Sequence, residues 1–303
     1  MMRTLSVVIP HYGDPEPTLA LVESLRRQRG AGDFEIVIAD DCSPYPLPEG
    51  DGYRLVRRAT NGGYGSACNA GAAIVTGDDI LFLNSDLSIA DDFIAGLRAA
   101  AEPWLPAVVG PRIIQDGRTV PVARRWPRAQ HHVIEWLMPL ARFHGRSSYE
   151  RLAGTDLGAW RSRHAVVTDW VVGVAHLVPS DQFRAVGGFD EGFFMNCEEV
   201  DLHRRLYMEC GVRAVYLPKV CASHAGGGSS DPAKRVGWVT DSRFAYAHKW
   251  RWDIRLGLGM MAATGINLVW NAARRLRGGE VEPLAEVRRQ VAILRHAWMG
   301  RKR

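Results

Sequence analysis

Residues Phe189 to Leu206 read FDEGFFMNCEEVDLHRRL and place three carboxylates, Glu198, Glu199 and Asp201, behind an aromatic, glycine-bearing turn at the head of a helical pattern. Carboxylates gathered at one spot are suited to general-base work. Mutual repulsion and partial burial raise a glutamate pKa from about 4.3 toward neutrality, where the group can take a proton from a hydroxyl. The same residues also suit an ordinary solvated helix start, because acidic groups complement the positive end of a helix dipole. Further chemistry-bearing side chains stand in ADDCS at 39–43, LNSD at 83–86 and SHAGGG at 223–228.

The elements that must position these groups alternate through the first half of the chain. LSVVIP (5–10), FEIVIAD (34–40), YRLVRR (53–58), DILFLNSD (79–86) and AVVGPRI (107–113) read as strands, most of them near-continuously apolar, as in sheets covered on both faces. Between them, TLALVESLRRQ (18–28), GSACNAGAAIV (65–75) and DDFIAGLRAAAE (91–102) read as helices. Strands alternating with short helices predict a parallel α/β sheet. Ligands in such sheets bind outside the carboxyl ends of the strands, where ADDCS and LNSD fall. After Arg112 the rhythm breaks. Residues 115–137 read as a long loop entering a helix, and 145–160 as loop. DWVVGVAHLV (169–178) predicts one strand, SDQFRAVGG (180–188) a short helix closed by glycine, and VRAVYLP (212–218) the last strand.

Taken in order, these motifs resemble the family-2 inverting glycosyltransferases of the GT-A type. GPRIIQDGR, DWVVGVAHLVP and VGGFDEGFFMNCEEVDL follow one another as in its bacterial rhamnosyltransferase-like branch, and the resemblance spans residues 4–228. It implies a GT-A α/β fold with a mainly parallel central sheet. It also implies a nucleotide-sugar site formed by Pro10, Tyr12, Asp40, Asn61, Gly65, Asn69, Asn84 and Asp86. DDCS is similar to the family's D[DN]xS, whose first Asp, here Asp40, contacts the base; a carboxylate there can accept the imide N–H of uracil or thymine. TNGGYGSACNAG (60–71) is similar to NxGxGxxxNxG, where small residues allow close approach and helix amides favour anions. Plain helix packing accounts equally for Gly65, Ala67 and Gly71, whereas Asn61 and Asn69 need partners if buried.

LNSD stands where the family carries DxD or NxD. The resemblance implies that Asp86 ligates Mg²⁺ or Mn²⁺ bridging two phosphates, with Asn84 supplying less charge than an Asp. A strand-end turn is the plainer alternative. CEEVDL lines up with EDxDL, which implies Glu199 as the base, one methylene longer than the family's Asp, with Glu198 and Asp201 as substitutes. His224 matches a family histidine that completes the metal shell through a neutral imidazole; a lone histidine is otherwise commonly structural.

One catalytic domain over 1–250 and a basic helical extension over 251–303 are expected. Residues 251–303 hold 11 Lys and Arg against 4 Asp and Glu, which accounts for more than the whole-chain excess of +5. LGLGMMAATGINLVW (256–270) falls short of the roughly 20 apolar residues that cross a bilayer. Arginines flank it, and Leu284, Val287, Val291 and Leu294 form an apolar stripe beyond. These helices either pack on the domain or dock on an anionic membrane surface. Five cysteines without a CxxC pair argue against a disulfide framework or zinc site and for a reducing cytosol. The N-terminal run lacks a signal-peptide layout. A cytoplasmic protein, peripheral on the inner face of the plasma membrane, is expected.

The resemblance implies L-rhamnose transfer from dTDP-L-rhamnose to a lipid-linked (polyprenyl-diphosphate) or polysaccharide acceptor. The alternatives are another UDP- or GDP-sugar used on a soluble acceptor, and an inactive nucleotide-sugar-binding scaffold. A Rossmann dehydrogenase is excluded because PHYGDPEP, not G-x-G-x-x-G, follows the first strand. A nucleotidyltransferase would show a glycine- and basic-rich loop there. The basic tail carries no nucleic-acid motif.

Overall fold

The computed structural model describes residues 3–226 and 232–301. The chain opens with β1 (Leu5–His11), α1 (Pro15–Arg26), β2 (Phe34–Asp40), β3 (Arg54–Arg57), α2 (Tyr64–Ala72), β4 (Asp79–Leu83) and β5 (Leu87–Ile89). It continues through α3 (Phe93–Ala101), β6 (Ala107–Gln115), β7 (Arg118–Thr119), β8 (Ala123–Arg124), α4 (Ala129–Trp136), α5 (Ser147–Leu152) and α6 (Leu157–Trp160). Next come β9 (Val166–Thr168), β10 (Trp170–Val171), β11 (Ala175–Pro179), α7 (Ser180–Ala185), α8 (Glu198–Cys210) and β12 (Arg213–His224). Three helices end it: α9 (Pro232–Lys249), α10 (Asp253–Leu276) and α11 (Pro283–Gly300). Two compact units emerge, Met1–Arg125 with Gly158–Asp231, and Trp126–Leu157 with Pro232–Arg303. They do not follow the expected boundary at residue 250: residues 126–157 and 232–249 belong with the terminal helices.

The first unit is built on a ten-stranded sheet of order β3-β2-β1-β4-β11-β6-β12-β5, with β7 paired to β6 and β9 to β12. β1 lies between parallel β2 and β4, in register from Leu5 opposite Phe34 to His11 opposite Asp40, and Leu5 opposite Asp79. This register brings the carboxyl ends of the three strands to one edge. β11 runs antiparallel to β4, Ala175 opposite Leu83, so β11 begins at that same edge. Val7, Val8, Ile9, Val37, Ile38, Leu81 and Phe82 are wholly buried. Each such side chain contributes about 1.5–3 kcal/mol of apolar transfer. α2 lies close on β1: a Cβ at Gly71 would stand 2.5 Å from Val8 Cγ1, so only glycine fits there.

The expected strand over 169–178 is two, β10 and β11, broken at Gly173; an isolated glycine in a strand pattern marks such a break. Residues 145–160 hold two short helices rather than loop. β12 extends to His224 because an irregularity between Leu217 and Cys221 lets its first half pair with β9 and its second with β5.

The second unit packs α9, α10 and α11 with α4 around Phe244, Ala247, Leu256, Met260, Leu294 and Ala297. Leu294 of the expected α11 stripe faces this core, while Leu284 and Val291 remain exposed. Asn267 of α10 is fully buried and satisfied: its Nδ2 donates to the Trp136 carbonyl at 2.9 Å, and its Oδ1 accepts from Met138 N–H at 2.9 Å.

Candidate active site

The turn before α8 fixes where its carboxylates lie. Asn196 and Cys197 both adopt positive φ, 69° and 70°, which non-glycine residues rarely do. The chain thereby reverses sharply and starts the helix directly on Glu198. At the far end Gly211 (φ 68°) closes it: its N–H bonds the Tyr207 carbonyl, and Val212 N–H bonds that of Leu206.

The three carboxylates then diverge. Asp201 is wholly buried and accepts from Arg205 Nε at 2.8 Å, one turn on; Arg205 Nη1 donates to the Val186 carbonyl at 2.7 Å. This is a structural ion pair. Glu198 is buried against α2, its Cβ 3.5 Å from where a Cβ on Gly65 would stand. Burial, then the neighbouring charge of Glu199, pushes its carboxyl well above the ordinary glutamate range. Glu199 is partly open. Burial raises its pKa too, against the pull of backbone N–H groups, including that of Gly173, and of the Arg124 charge. Both carboxyls are thus held above the ordinary glutamate range, and as close neighbours they titrate as a pair.

Gly173, at the break between β10 and β11, sets the position of Glu199. A Cβ there would lie 3.0 Å from Glu199 Cβ and 3.1 Å from its Cγ. The Gly173 carbonyl oxygen accepts from Tyr64 Oη at 2.8 Å and lies 3.2 Å from His176 Nδ1, so two side chains hold it. His176 and His203 are buried with ring centroids 5.4 Å apart, beside Phe82 and Phe189. Burial lowers both, His176 to about 4, so they are neutral members of the aromatic core beneath α8.

Along the same edge, Asn84 N–H donates to the Val174 carbonyl at 2.9 Å, tying the end of β4 to the residue after Gly173. Two residues on, Asp86 Oδ1 meets His224 Nε2 at 3.1 Å, brought there by antiparallel pairing of β5 with the end of β12. Burial raises the Asp86 carboxyl, but the His224 contacts and the Gly226 N–H outweigh it and hold the group below its ordinary value. His224 Nδ1 and Asn84 Oδ1 are buried without a partner among the described residues. A carboxylate, an imidazole and an unsatisfied amide oxygen fit a hard divalent cation. Among the described residues no cluster of three or more His, Cys, Asp or Glu could hold a metal by itself. Sites for Mg²⁺ commonly combine one or two carboxylates with substrate phosphates and water.

On the nucleotide side, Pro10 is buried in β1 and Tyr12 is exposed just after it. Asp40 is wholly buried, accepting from Arg57 Nη1 at 2.5 Å and Ser43 N–H at 2.7 Å. Its neighbour Asp41, given no role above, accepts from Gly62 and Gly63 N–H and pairs with Arg58 at 3.0 Å, which shapes the glycine loop. Asn61 is exposed and its Oδ1 accepts from Gly63 N–H at 3.2 Å. Gly63 (φ 88°) leaves room for the Phe194 carbonyl, which a Cβ would meet at 1.8 Å. Gly65 sits where a Cβ would come 3.1 Å from Phe189 Cβ. Asn69 bonds Phe189 twice, Nδ2 to its carbonyl at 2.9 Å and Oδ1 from its N–H at 2.8 Å, and reaches Glu191 Oε1 at 3.0 Å. Gly65 and Asn69 thus anchor the turn that carries the acidic helix.

Residues 6–161, half the chain, match the family model described as glycosyl transferase family 2. The chain belongs to that family. This glycosyltransferase is 28% identical over 272 residues to the N-acetylglucosaminyl-diphospho-decaprenol L-rhamnosyltransferase of Mycobacterium tuberculosis, covering 80% of its own length and 85% of the relative's. It is 40% identical over 82 residues to the rhamnosyltransferase WbbL of Escherichia coli, 26% of this chain and 31% of that one. These likenesses place it in the rhamnosyltransferase-like branch. Among solved structures it is similar to GalNAc-T7 with UDP, GalNAc and Mn²⁺, at TM-score 0.57 and 16% identity, covering 82% of this chain and 48% of that one. The chain thus spans about half of that neighbour, and the likeness establishes the GT-A-type fold.

Proposed function

We propose that this glycosyltransferase moves L-rhamnose from dTDP-L-rhamnose to an acceptor hydroxyl by a single in-line displacement, with inversion at the anomeric carbon. The supporting observation is Glu199, raised in pKa, partly open and set by Gly173 on the same edge as the Asp86–His224 pair. Glu199 accepts the acceptor's proton as the new bond forms. Glu198 and Glu199 titrate as a pair, so a proton shared between them limits the negative charge in the site. Asp86 and His224 would hold Mg²⁺ or Mn²⁺, which when bound offsets charge on the departing nucleoside diphosphate. Tyr12 offers an exposed aromatic face beside the nucleotide, and Asp40 accepts the pyrimidine imide through acceptor capacity left beside Arg57.

The acceptor is a polyprenyl-diphosphate-linked sugar at the cytoplasmic face of a membrane, in cell-wall or surface-glycan assembly. The Mycobacterium tuberculosis relative, whose name gives such an acceptor, supports this. A thermal-shift panel of dTDP-, UDP- and GDP-sugars, with and without Mg²⁺ or Mn²⁺, tests the donor. Stabilisation by dTDP-L-rhamnose that needs metal and is lost in Asp86→Asn and His224→Ala is expected. Stabilisation by GDP-sugars alone contradicts the reading.

A further inference from the structure

The latter half of α10 reverses the usual arrangement of a solvated helix. Its inward face carries Thr264, Asn267 and Asn271, all buried. Thr264 Oγ1 accepts from Trp136 Nε1 at 2.9 Å, and Asn267 Nδ2 reaches Gln290 Oε1 at 3.2 Å as well as the Trp136 carbonyl. Over the whole length of α10, whose first half turns Leu256, Met260 and Ala263 inward, the outward face carries Ile254, Leu258, Met261, Ile266, Val269 and Leu276, with Leu258 and Val269 each 70% exposed and Leu276 90%. Spacings of three to five residues, and seven at the end, keep these on one side of a helix about 33 Å long between the outermost two. Ala262 and Gly265 lie on the same side, so no polar side chain interrupts the strip.

The charge at both ends of the strip is mainly basic; Glu280 and Glu282 follow its carboxyl end, where Glu282 pairs with Arg275. No acidic residue occurs between Asp253 and Glu280. Asp253 faces inward, where Arg301 Nε donates to it at 2.8 Å. Arg251 and Arg255 stand exposed at one end, Arg274 and Arg277 at the other. No helix of the described residues is long and apolar enough to cross a membrane. We propose that this outward face of α10 lies along the surface of an anionic bilayer, its apolar strip among the acyl chain boundary and its arginines at the phosphates. The expected α11 stripe is not that surface, because Leu294 is spent in the core. A second copy of the chain is the competing occupant. Antiparallel pairing about Gly265 would set Arg251 and Arg255 of one copy against Arg274 and Arg277 of the other, with Glu282 already taken by Arg275, whereas an anionic surface complements both ends. The surface is independent of the donor chemistry proposed above.

Sedimentation of the full-length protein with vesicles tests this. Binding is expected to vesicles of phosphatidylcholine with phosphatidylglycerol, to weaken with salt, and to be at least about tenfold poorer with phosphatidylcholine alone. Leu258→Glu with Val269→Glu is expected to lower binding at least about tenfold. Val291→Glu on α11 should change it less than about threefold. Circular dichroism and nucleotide-sugar binding, unchanged in each variant, separate a surface effect from misfolding. Loss of nucleotide-sugar binding by the intact protein, with vesicle binding retained, would count against the donor reading alone. Failure of the intact protein to bind anionic vesicles at low salt overturns the proposal, as does equal binding by the double variant. A dimer in sedimentation velocity that the double variant dissociates, without vesicle binding, assigns the face to a second copy and also overturns it.

Discussion

Replacing Gly173 with alanine tests whether the β10–β11 break positions the base. The new Cβ would lie 3.0 Å from Glu199 Cβ and 3.1 Å from Glu199 Cγ, where ordinary contact needs 3.4–4 Å. Rotation about χ1 cannot relieve the first contact, since Glu199 Cβ is fixed by the backbone of α8. Either the Gly173 peptide or the first turn of α8 must give way by about half an ångström. A displacement of about 1 Å at a reacting group costs about 10²-fold, so kcat should fall about tenfold, near 1.4 kcal/mol in the barrier. Because the shifted peptide also carries the N–H that bonds Glu199, recovery by repacking is limited. Stability should drop by only about 1 kcal/mol, at the low end for overpacking. The assay is steady-state kcat and KM with donor Kd and Tm, beside Gly96→Ala, where a Cβ meets nothing within 4 Å. If Gly173→Ala keeps kcat within about twofold of the parent, or loses it only in step with donor affinity, the positioning argument is wrong.

Asp201→Asn strands the Arg205 charge, whose partner is buried; breaking such a pair costs about 3–5 kcal/mol. Chemical denaturation should show that loss, and a fully stable variant without transfer would make Asp201 the base instead. Glu198→Gln acts through linkage. A carboxyl raised in the folded state adds nothing below its ordinary pKa, and costs stability as pH rises through the interval up to its raised value. Glu198→Gln should therefore be more stable than the parent at neutral pH and equal to it in acid, as read by Tm against pH. Its rate profile should keep the rising acid limb, displaced above the ordinary glutamate range, because that limb belongs to Glu199. Disappearance of the limb in Glu198→Gln would reverse the assignment of the pair.

The alternating half of the fold was legible because buried parallel strands are apolar runs: FEIVIAD coincides with β2, and LSVVIP falls one residue short of β1. The convergence of Asp86 with His224, and of both with the edge carrying Glu199, is a consequence of strand order that no local spacing states. Asn69 and Gly65 carried a motif, and the structure shows that motif anchoring the Phe189 turn. Gly173 escaped notice because valines on either side read as one continuous strand; its glycine was the available signal. Tyr64 gave no signal, since its hydroxyl bonds a carbonyl more than a hundred residues away. The helix α9 and the unit it completes were missed because polar residues interrupt its apolar spacing, and burial there depends on partners from residues 126–157.

The central claim is that Glu199 takes the acceptor proton, and Glu199→Gln measures it most directly. The amide keeps the size and the Gly173 contact but cannot act as a base. Transfer measured under single-turnover conditions with saturating donor should fall by about 10²–10⁴-fold, while donor Kd stays within about threefold. Transfer retained within about tenfold, or a loss matched by weakened donor binding, would contradict the account and leave Glu199 without the role assigned to it.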